Sequence, residues 1–169
     1  MSESRSIRLF VCGNADRGDD AAAIVAVTSL LPKLRSDLAT RLDVRWCEQL
    51  EVEDLLDLPS STACVIVDTV AGTTTGSITT TSLAGLAGSA ALDEPAEWTC
   101  ATPRSSHILP IGQLLALAEV LRDTPIEGLF VGLGGSTFGH ERLLGAPVRE
   151  ALSAFQLAIE DALTVATAG

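Results

Sequence analysis

Apolar strand-like runs alternate with helical patterns along this chain. The run TACVIVDTV, Thr62 to Val70, is mainly apolar up to Asp68, which is typical of a strand covered on both faces. Alternating strands and helices favour parallel strand pairing with right-handed crossovers. The sequence therefore predicts an α/β fold. We expect a three-layer α/β/α sandwich of the phosphorylase/hydrolase-like kind, with a mostly parallel central sheet of about five strands.

The individual elements follow from apolar periodicity and from breakers such as Pro and Gly. Strands are predicted at Ile7–Gly13, Arg41–Leu50, Thr62–Val70, the Thr-rich edge segment Ser77–Leu83, and Gly128–Gly135. Helices are predicted at Asp19–Leu31, the acidic stretch EVEDLLDLP, Pro110–Arg122 and Pro147–Thr167. The stretch from Ala84 to Thr102 contains Gly, Pro and acidic residues and is predicted to be a loop. Because no repeat or linker divides the chain, we expect residues 1–169 to form one domain.

The charge balance and the apolar pattern exclude several kinds of partner. The chain has 22 acidic residues against 11 Lys plus Arg, a net charge of −11, which disfavours nucleic acid and anionic membrane surfaces. No apolar run approaches the ~20 residues of a membrane-spanning helix. The first residues, MSESRSIRLF, lead directly into a strand-like stretch without a hydrophobic signal region. We therefore expect a cytoplasmic protein.

The four cysteines do not form a metal-binding or disulfide pattern. They are far apart and include no C-x-x-C spacing, and the first three lie in apolar strand-like runs: Cys12, Cys47, Cys64 and Cys100. This distribution favours buried, reduced thiols.

Two carboxylates and one imidazole follow predicted strands or precede a predicted helix. Asp20 comes after the first strand, Asp68 ends the third, and His107 lies in the loop TPRSSHILP. If the first and third strands are neighbours, both carboxylates reach the edge where α/β sheets bind ligands, and His107 can close over them. Two oxygen donors and one nitrogen donor suit a divalent ion such as Zn, Mn, Fe or Ni, with vacant coordination positions.

Each of these residues also has a structural interpretation. Asp19 and Asp20 at a helix start compensate the helix dipole and can cap the first turn. Asp68 could form an ordinary turn, and His107 could hydrogen-bond its own loop backbone. His140, in FGHERL, is a competing ligand that could replace His107.

Taken in order, these segments resemble the [NiFe]-hydrogenase maturation endopeptidases. GNADRGDDAAAIVAV is similar to that family's Gly-Asn turn and acidic pair, CVIVDTVAGTTTGSI to its strand-ending Asp, and SSHILPIGQLLALAE to its His before a helix. LLGAPVREALSAF is similar to the start of the family's last helix. The chain departs from the family where Val11 replaces the first Gly of G-x-G-N and where Gly134-Gly135 replaces a Q-P or E-P turn.

The resemblance implies an α/β enzyme that recognises nickel in the precursor of a hydrogenase large subunit and removes its C-terminal extension. Asp20, Asp68 and His107 would be both the nickel contacts and the catalytic residues. The nickel would be carried by the substrate and bound transiently, without an organic cofactor, and the protein would act as a monomer. The metal could activate water or the scissile carbonyl, with a carboxylate accepting the proton, or it could serve for recognition only.

Three other functions fit parts of the sequence. GLGGSTFG follows a strand as in nucleotide-binding proteins, but it lacks the full G-x-G-x-x-G pattern and a P-loop Lys. A serine hydrolase could use Ser105, Ser106 or Ser136, but no G-x-S-x-G elbow is present. The main alternative is a non-cleaving chaperone or scaffold of the same fold that binds a hydrogenase subunit.

Overall fold

The computed structural model describes residues 5–92, 110–140 and 142–168. The strands within these ranges are β1 Ile7–Cys12, β2 Leu42–Cys47, β3 Ala63–Val70, β4 Ile78–Ser82 and β5 Gly128–Gly134. The α-helices are α1 Ala22–Leu30, α2 Ser36–Ala39, α3 Val52–Leu56, α4 Leu83–Leu92, α5 Ile111–Arg122 and α6 Ala146–Ala168. Short 3-10 turns precede and follow α1, at Gly18–Ala21 and Leu31–Lys33.

The five strands form one sheet in the order β2-β1-β3-β5-β4. β2, β1, β3 and β5 pair in parallel, and β4 pairs antiparallel with β5 at the edge. The predicted mostly parallel sheet, the adjacency of the first and third strands and the Thr-rich edge strand are therefore confirmed. None of the described helices is long and apolar enough to cross a membrane.

Each face of the sheet carries its own apolar core because successive strand side chains point to opposite faces. Ile7, Leu9 and Val11 of β1 pack with α1 and α6, whereas Phe10 and Cys12 pack with α3, α4 and α5. All five of these side chains are buried. Helices thus cover both faces, which gives the predicted three layers.

The stretch that begins at Ala84 was predicted to be a loop, and this prediction is wrong for its first part. Residues Leu83–Leu92 form α4, and the remainder of the stretch lies outside the described residues. Leu83 and Ala87, one turn apart, are buried in the second core. Their packing outweighs the low helix propensity of Gly85 and Gly88, which favoured a loop.

Two predicted boundaries also shift. β2 ends at Cys47 and not at Leu50, which is instead buried in the second core beyond the strand. Helical structure continues after α1 as the 3-10 turn Leu31–Lys33. Pro32 occupies an early position of this turn, where the missing N–H of proline is tolerated.

Candidate functional site

The carboxyl ends of β1 and β3 place Asp20 and Asp68 at the same edge of the sheet. Asp20 lies in the 3-10 turn Gly18–Ala21 that follows β1, and Asp68 lies in β3, opposite Gly132 of β5. Asp68 lies two residues before the end of β3, because the ladder with β5 continues to Val70, the predicted end of the strand. This edge is where parallel α/β sheets bind ligands.

The turn after β1 fixes the carboxylate of Asp20. The Asn14 N–H donates to Asp20 Oδ2 at 3.0 Å, and Asn14 Oδ1 accepts from the Asp16 N–H at 2.9 Å. Asp20 is only 4% exposed. The side chain is thus held by the turn after β1, and at the described start of α1 no side chain caps the helix. The capping interpretation of Asp20 is wrong.

Gly13 is required for this turn. Its φ is +138°, and a Cβ placed there would lie 2.1 Å from the Asp20 backbone oxygen. The Gly13 N–H also donates to the Cys47 carbonyl at 3.0 Å, so the backbone cannot move away without losing that bond. The glycine therefore allows the turn to approach the residue it positions.

Substitution of Gly13 with Ala is expected to lower the free energy of unfolding by about 3 kcal/mol, because both strain and a backbone clash result. Gly72→Ala is the matched control, since Gly72 also has a positive φ but a Cβ there would meet nothing within 4 Å. We expect about 1–2 kcal/mol for the control from backbone strain alone. Urea unfolding measures both, and equal losses would contradict the assigned contact.

Asp19, the neighbour of Asp20, connects two loops of this edge. Its Oδ2 accepts from the Ser136 and Thr137 N–H groups at 2.9 and 3.0 Å, and its Oδ1 accepts from the Gly145 N–H at 2.7 Å. The Asp19 N–H in turn donates to the Thr137 carbonyl at 2.7 Å. Asp19 is fully buried. It therefore pins the loop between β5 and α6 against the turn that carries Asp20.

The hydrogen bonds of Asp19 predict a loss of stability in acid. Burial by itself would raise the pKa of this carboxyl, but the backbone N–H groups that donate to it outweigh burial and hold the pKa below 3.8, its ordinary value. The contribution of Asp19 is thus complete above the pKa of the unfolded chain and is lost as pH falls through the lower folded pKa. Between pH ~5 and ~3, urea midpoints should fall more steeply for the wild type than for Asp19→Asn. If the urea midpoints of the wild type and Asp19→Asn fell equally with pH, the assigned role of the Asp19 carboxylate would be contradicted.

An apolar cavity of about 320 Å³ lies beside Asp68. Asp68 is half-buried, and its Oδ1 accepts from the Thr69 N–H at 2.7 Å. The cavity lies between β3 and the helices α4 and α5, and its lining includes Cys12, Leu50, Val70, Leu86, Leu114 and Phe130. A carboxylate at the wall of an apolar cavity can hold a polar or charged group while neighbouring apolar groups are buried.

Comparison with known proteins finds similar solved structures but no similar sequences. No protein-family model matches the sequence, and no curated protein sequence matches it significantly. Hydrogenase maturating endopeptidase HybD from E. coli is similar over 95% of this chain and 93% of its own, with a TM-score of 0.67 and 14% identity. The [NiFe] hydrogenase maturation protease HycI from Thermococcus kodakarensis is similar over 96% and 95%, with a TM-score of 0.61 and 18% identity. The chain has the hydrogenase maturation protease fold.

A third structure of this fold shows how fully the two chains correspond. A hydrogenase 2 maturation peptidase from a Thaumarchaeota archaeon is similar over 95% of this chain and 99% of its own, with a TM-score of 0.59 and 18% identity. The hydrogenase maturation protease fold thus covers nearly the whole chain, and the sequence resemblance that predicted it is confirmed at the level of the fold.

The predicted ligand His107 and its competitor His140 lie in different segments of the chain. His107 lies outside the described residues, so its place in the predicted site stays a prediction. His140 is exposed in the loop that Asp19 pins. Among the residues that the structure describes, no group of three or more His, Cys, Asp or Glu side chains is arranged to hold a metal.

The glycine-rich segment at the end of β5 has a packing role in this chain. Gly135 donates its N–H to the Val70 carbonyl at 2.9 Å, and a Cβ there would lie 2.7 Å from Thr69 Cγ2. β5 ends at Gly134 and α6 begins only at Ala146, so no helix starts directly after the glycines as nucleotide-binding motifs require. Ser136 contributes its N–H to Asp19, whereas Ser105 and Ser106 lie outside the described residues.

The described cysteines are free thiols, as predicted. Burial raises the pKa of Cys64 to about 12, partly opposed by the charges of Arg8 and Arg122. The hydrogen bond with Cys47 raises the pKa of Cys12 well above its ordinary value, and burial and the Asp68 charge add to the effect. Cys47 is only partly buried, and Cys100 lies outside the described residues.

Proposed function

We propose that this protein is an endopeptidase that recognises nickel in the precursor of a [NiFe]-hydrogenase large subunit and removes its C-terminal extension. The observation that carries the proposal is the placement of Asp20 and Asp68 near the carboxyl ends of neighbouring parallel strands. The hydrogenase maturation protease fold supports it, since the similar structures are named as hydrogenase maturation proteases.

The donor set fits a metal that belongs to the substrate. Asp20 and Asp68 would supply carboxylate oxygens, and His107 would supply a nitrogen. Nickel prefers thiolate and imidazole donors to carboxylates, so substrate thiolates would retain the ion while this protein occupies its open positions. Weak binding of the free ion is an advantage here, because the protein must release the subunit after cleavage.

Asp20 and Asp68 have different surroundings, which suit them to different roles in the proposed reaction. Asp20 is held rigidly by a backbone N–H, which suits a ligand that must keep its position. Asp68 borders the apolar cavity, where an apolar side chain next to the scissile bond would bring the peptide against it. Either carboxylate could accept the proton of the attacking water.

Further parts of the proposal concern the setting of the reaction. We propose a cytoplasmic monomer that acts on a protein substrate and does not bind nucleic acid or membranes. The net charge of −11 supports the exclusion of phosphate-rich partners.

Incubation with a purified precursor tests the proposed function. Nickel-loaded precursor should be shortened at its C-terminus, and nickel-free precursor should stay intact, as measured by intact-mass spectrometry. Asp16→Ala removes an exposed carboxylate from the turn after β1, outside the proposed site. This variant should cleave the loaded precursor at the wild-type rate, which controls for a nonspecific effect of charge at the turn. A stable complex with the loaded precursor, without shortening, would instead support the chaperone or scaffold.

A further inference from the structure

Two cysteine side chains touch at the ends of the neighbouring strands β1 and β2. Cys12 and Cys47 are direct register partners, and their sulfur atoms lie 3.2 Å apart. The Cys47 sulfur also lies 3.6 Å from the Val11 carbonyl oxygen, to which it donates. The pair was not predicted, because the sequence places the two residues in separate strands without a recognisable spacing.

The positions of Cys12 and Cys47 are compatible with a disulfide bond. Adjacent strands lie about 4.8 Å apart, and disulfides join residues whose Cα atoms lie roughly 4.4–6.8 Å apart. The sulfur atoms must approach by a little over 1 Å to reach the ~2.05 Å of an S–S bond. Small side-chain rotations can supply this movement, because the spacing of adjacent strands already lies within the Cα range of disulfides.

The two thiols differ in their access to solvent. Cys12 is 1% exposed, whereas Cys47 is partly exposed and lines an open groove together with Asn14, Asp16 and Trp46. A small oxidant from solvent therefore reaches the Cys47 sulfur first. The buried Cys12 sulfur touches Cys47 and can then react with the oxidised Cys47.

We propose that Cys12 and Cys47 form a reversible disulfide that alters the turn holding Asp20. With hydrogen peroxide as the oxidant, the Cys47 sulfur attacks one peroxide oxygen and the O–O bond breaks, so that Cys47 becomes a sulfenic acid and the departing hydroxide takes the Cys47 proton to form water. The Cys12 sulfur then attacks the Cys47 sulfur, the S–O bond breaks, and the departing hydroxide takes the Cys12 proton to form a second water. Two thiols are oxidised and one peroxide is reduced.

The disulfide would act on Asp20 through one short segment of main chain. Gly13 follows Cys12 and donates its N–H to the Cys47 carbonyl at 3.0 Å, and the next N–H, that of Asn14, holds Asp20 Oδ2 at 3.0 Å. Adjustment of the two strand ends toward the Cα separation of about 5.5–6 Å that disulfides usually adopt therefore displaces the donor that positions Asp20. Formation of the disulfide is independent of the proposed function, and only its effect on nickel-dependent cleavage rests on that function.

Peroxide treatment of the full-length protein tests the disulfide directly. After alkylation and proteolysis, mass spectrometry should detect a peptide pair joined through Cys12 and Cys47 that dithiothreitol separates. Cys64→Ala is the matched control and should retain the cross-link, whereas Cys47→Ser should lose it. Thiols that remain alkylatable, a Cys47 sulfinic acid without the cross-link, or a bond from Cys47 to Cys100 would each overturn the proposal.

Hydrogen exchange measures the effect on the turn without any cleavage assay. The Asn14 amide should exchange at least about threefold faster in the oxidised protein, with the rate restored by dithiothreitol. Amides of α6, which lies on the other core, should keep their rates. An unchanged Asn14 rate in protein that carries the cross-link would overturn the link to Asp20.

Discussion

Replacing Asp19 with Ala should lower the free energy of unfolding by about 3 kcal/mol, because three backbone donors lose their acceptor and each such loss costs roughly 1–3 kcal/mol. Asp19→Asn should cost less, since its amide oxygen still accepts one or two of these bonds. Urea denaturation monitored by tryptophan fluorescence measures the difference.

Asp16→Ala is the matched control for the loss at Asp19. Asp16 is an exposed carboxylate three residues earlier, and its removal should change stability by less than about 0.5 kcal/mol. Faster hydrogen exchange at Ser136, Thr137 and Gly145 in Asp19→Ala would locate the effect in the loop that Asp19 pins. Equal stability of Asp19→Ala and Asp16→Ala would refute the assigned role.

Replacing Asp20 with Asn should reduce nickel-dependent cleavage by at least about 100-fold, because the amide keeps the shape of the side chain but loses the charge and basicity of a ligand or general base. The fold should survive, since the Asn oxygen can still accept from the Asn14 N–H, and the free energy of unfolding should change by less than about 1 kcal/mol. Initial cleavage rates on nickel-loaded precursor provide the measurement.

Asp16→Asn is the control for charge at this turn. It removes one negative charge four residues before Asp20, outside the proposed site, and should leave the cleavage rate within about twofold of the wild type. Wild-type activity in Asp20→Asn would remove Asp20 from the proposed site.

The sheet could be predicted because its signals are local. The continuous apolar run of β3 and the alternation of strands with helices specify parallel pairing with little dependence on the rest of the chain. The helix α4 could not be predicted, because its Gly and Ser content favours a loop. Its stability comes from burial of Leu83 and Ala87 in the second core.

The candidate site was predicted only in part. Asp20 and Asp68 follow from strand order, since both lie near the carboxyl ends of strands that prove to be neighbours. The different roles of Asp19 and Asp20 are not visible in the sequence, because two adjacent and identical residues carry the same local signal. What separates them is the loop at Ser136 and Thr137, which returns to Asp19 from more than a hundred residues further along the chain.

The structure of a crystal soaked in enough Ni²⁺ to fill a site that binds the free ion weakly, with the nickel located by anomalous scattering at its absorption edge, would test the proposed site most directly. The proposal predicts nickel coordinated by carboxylate oxygens of Asp20 and Asp68 and by the imidazole of His107. Nickel bound at His140, or at any position that neither Asp20 nor Asp68 contacts, would contradict it.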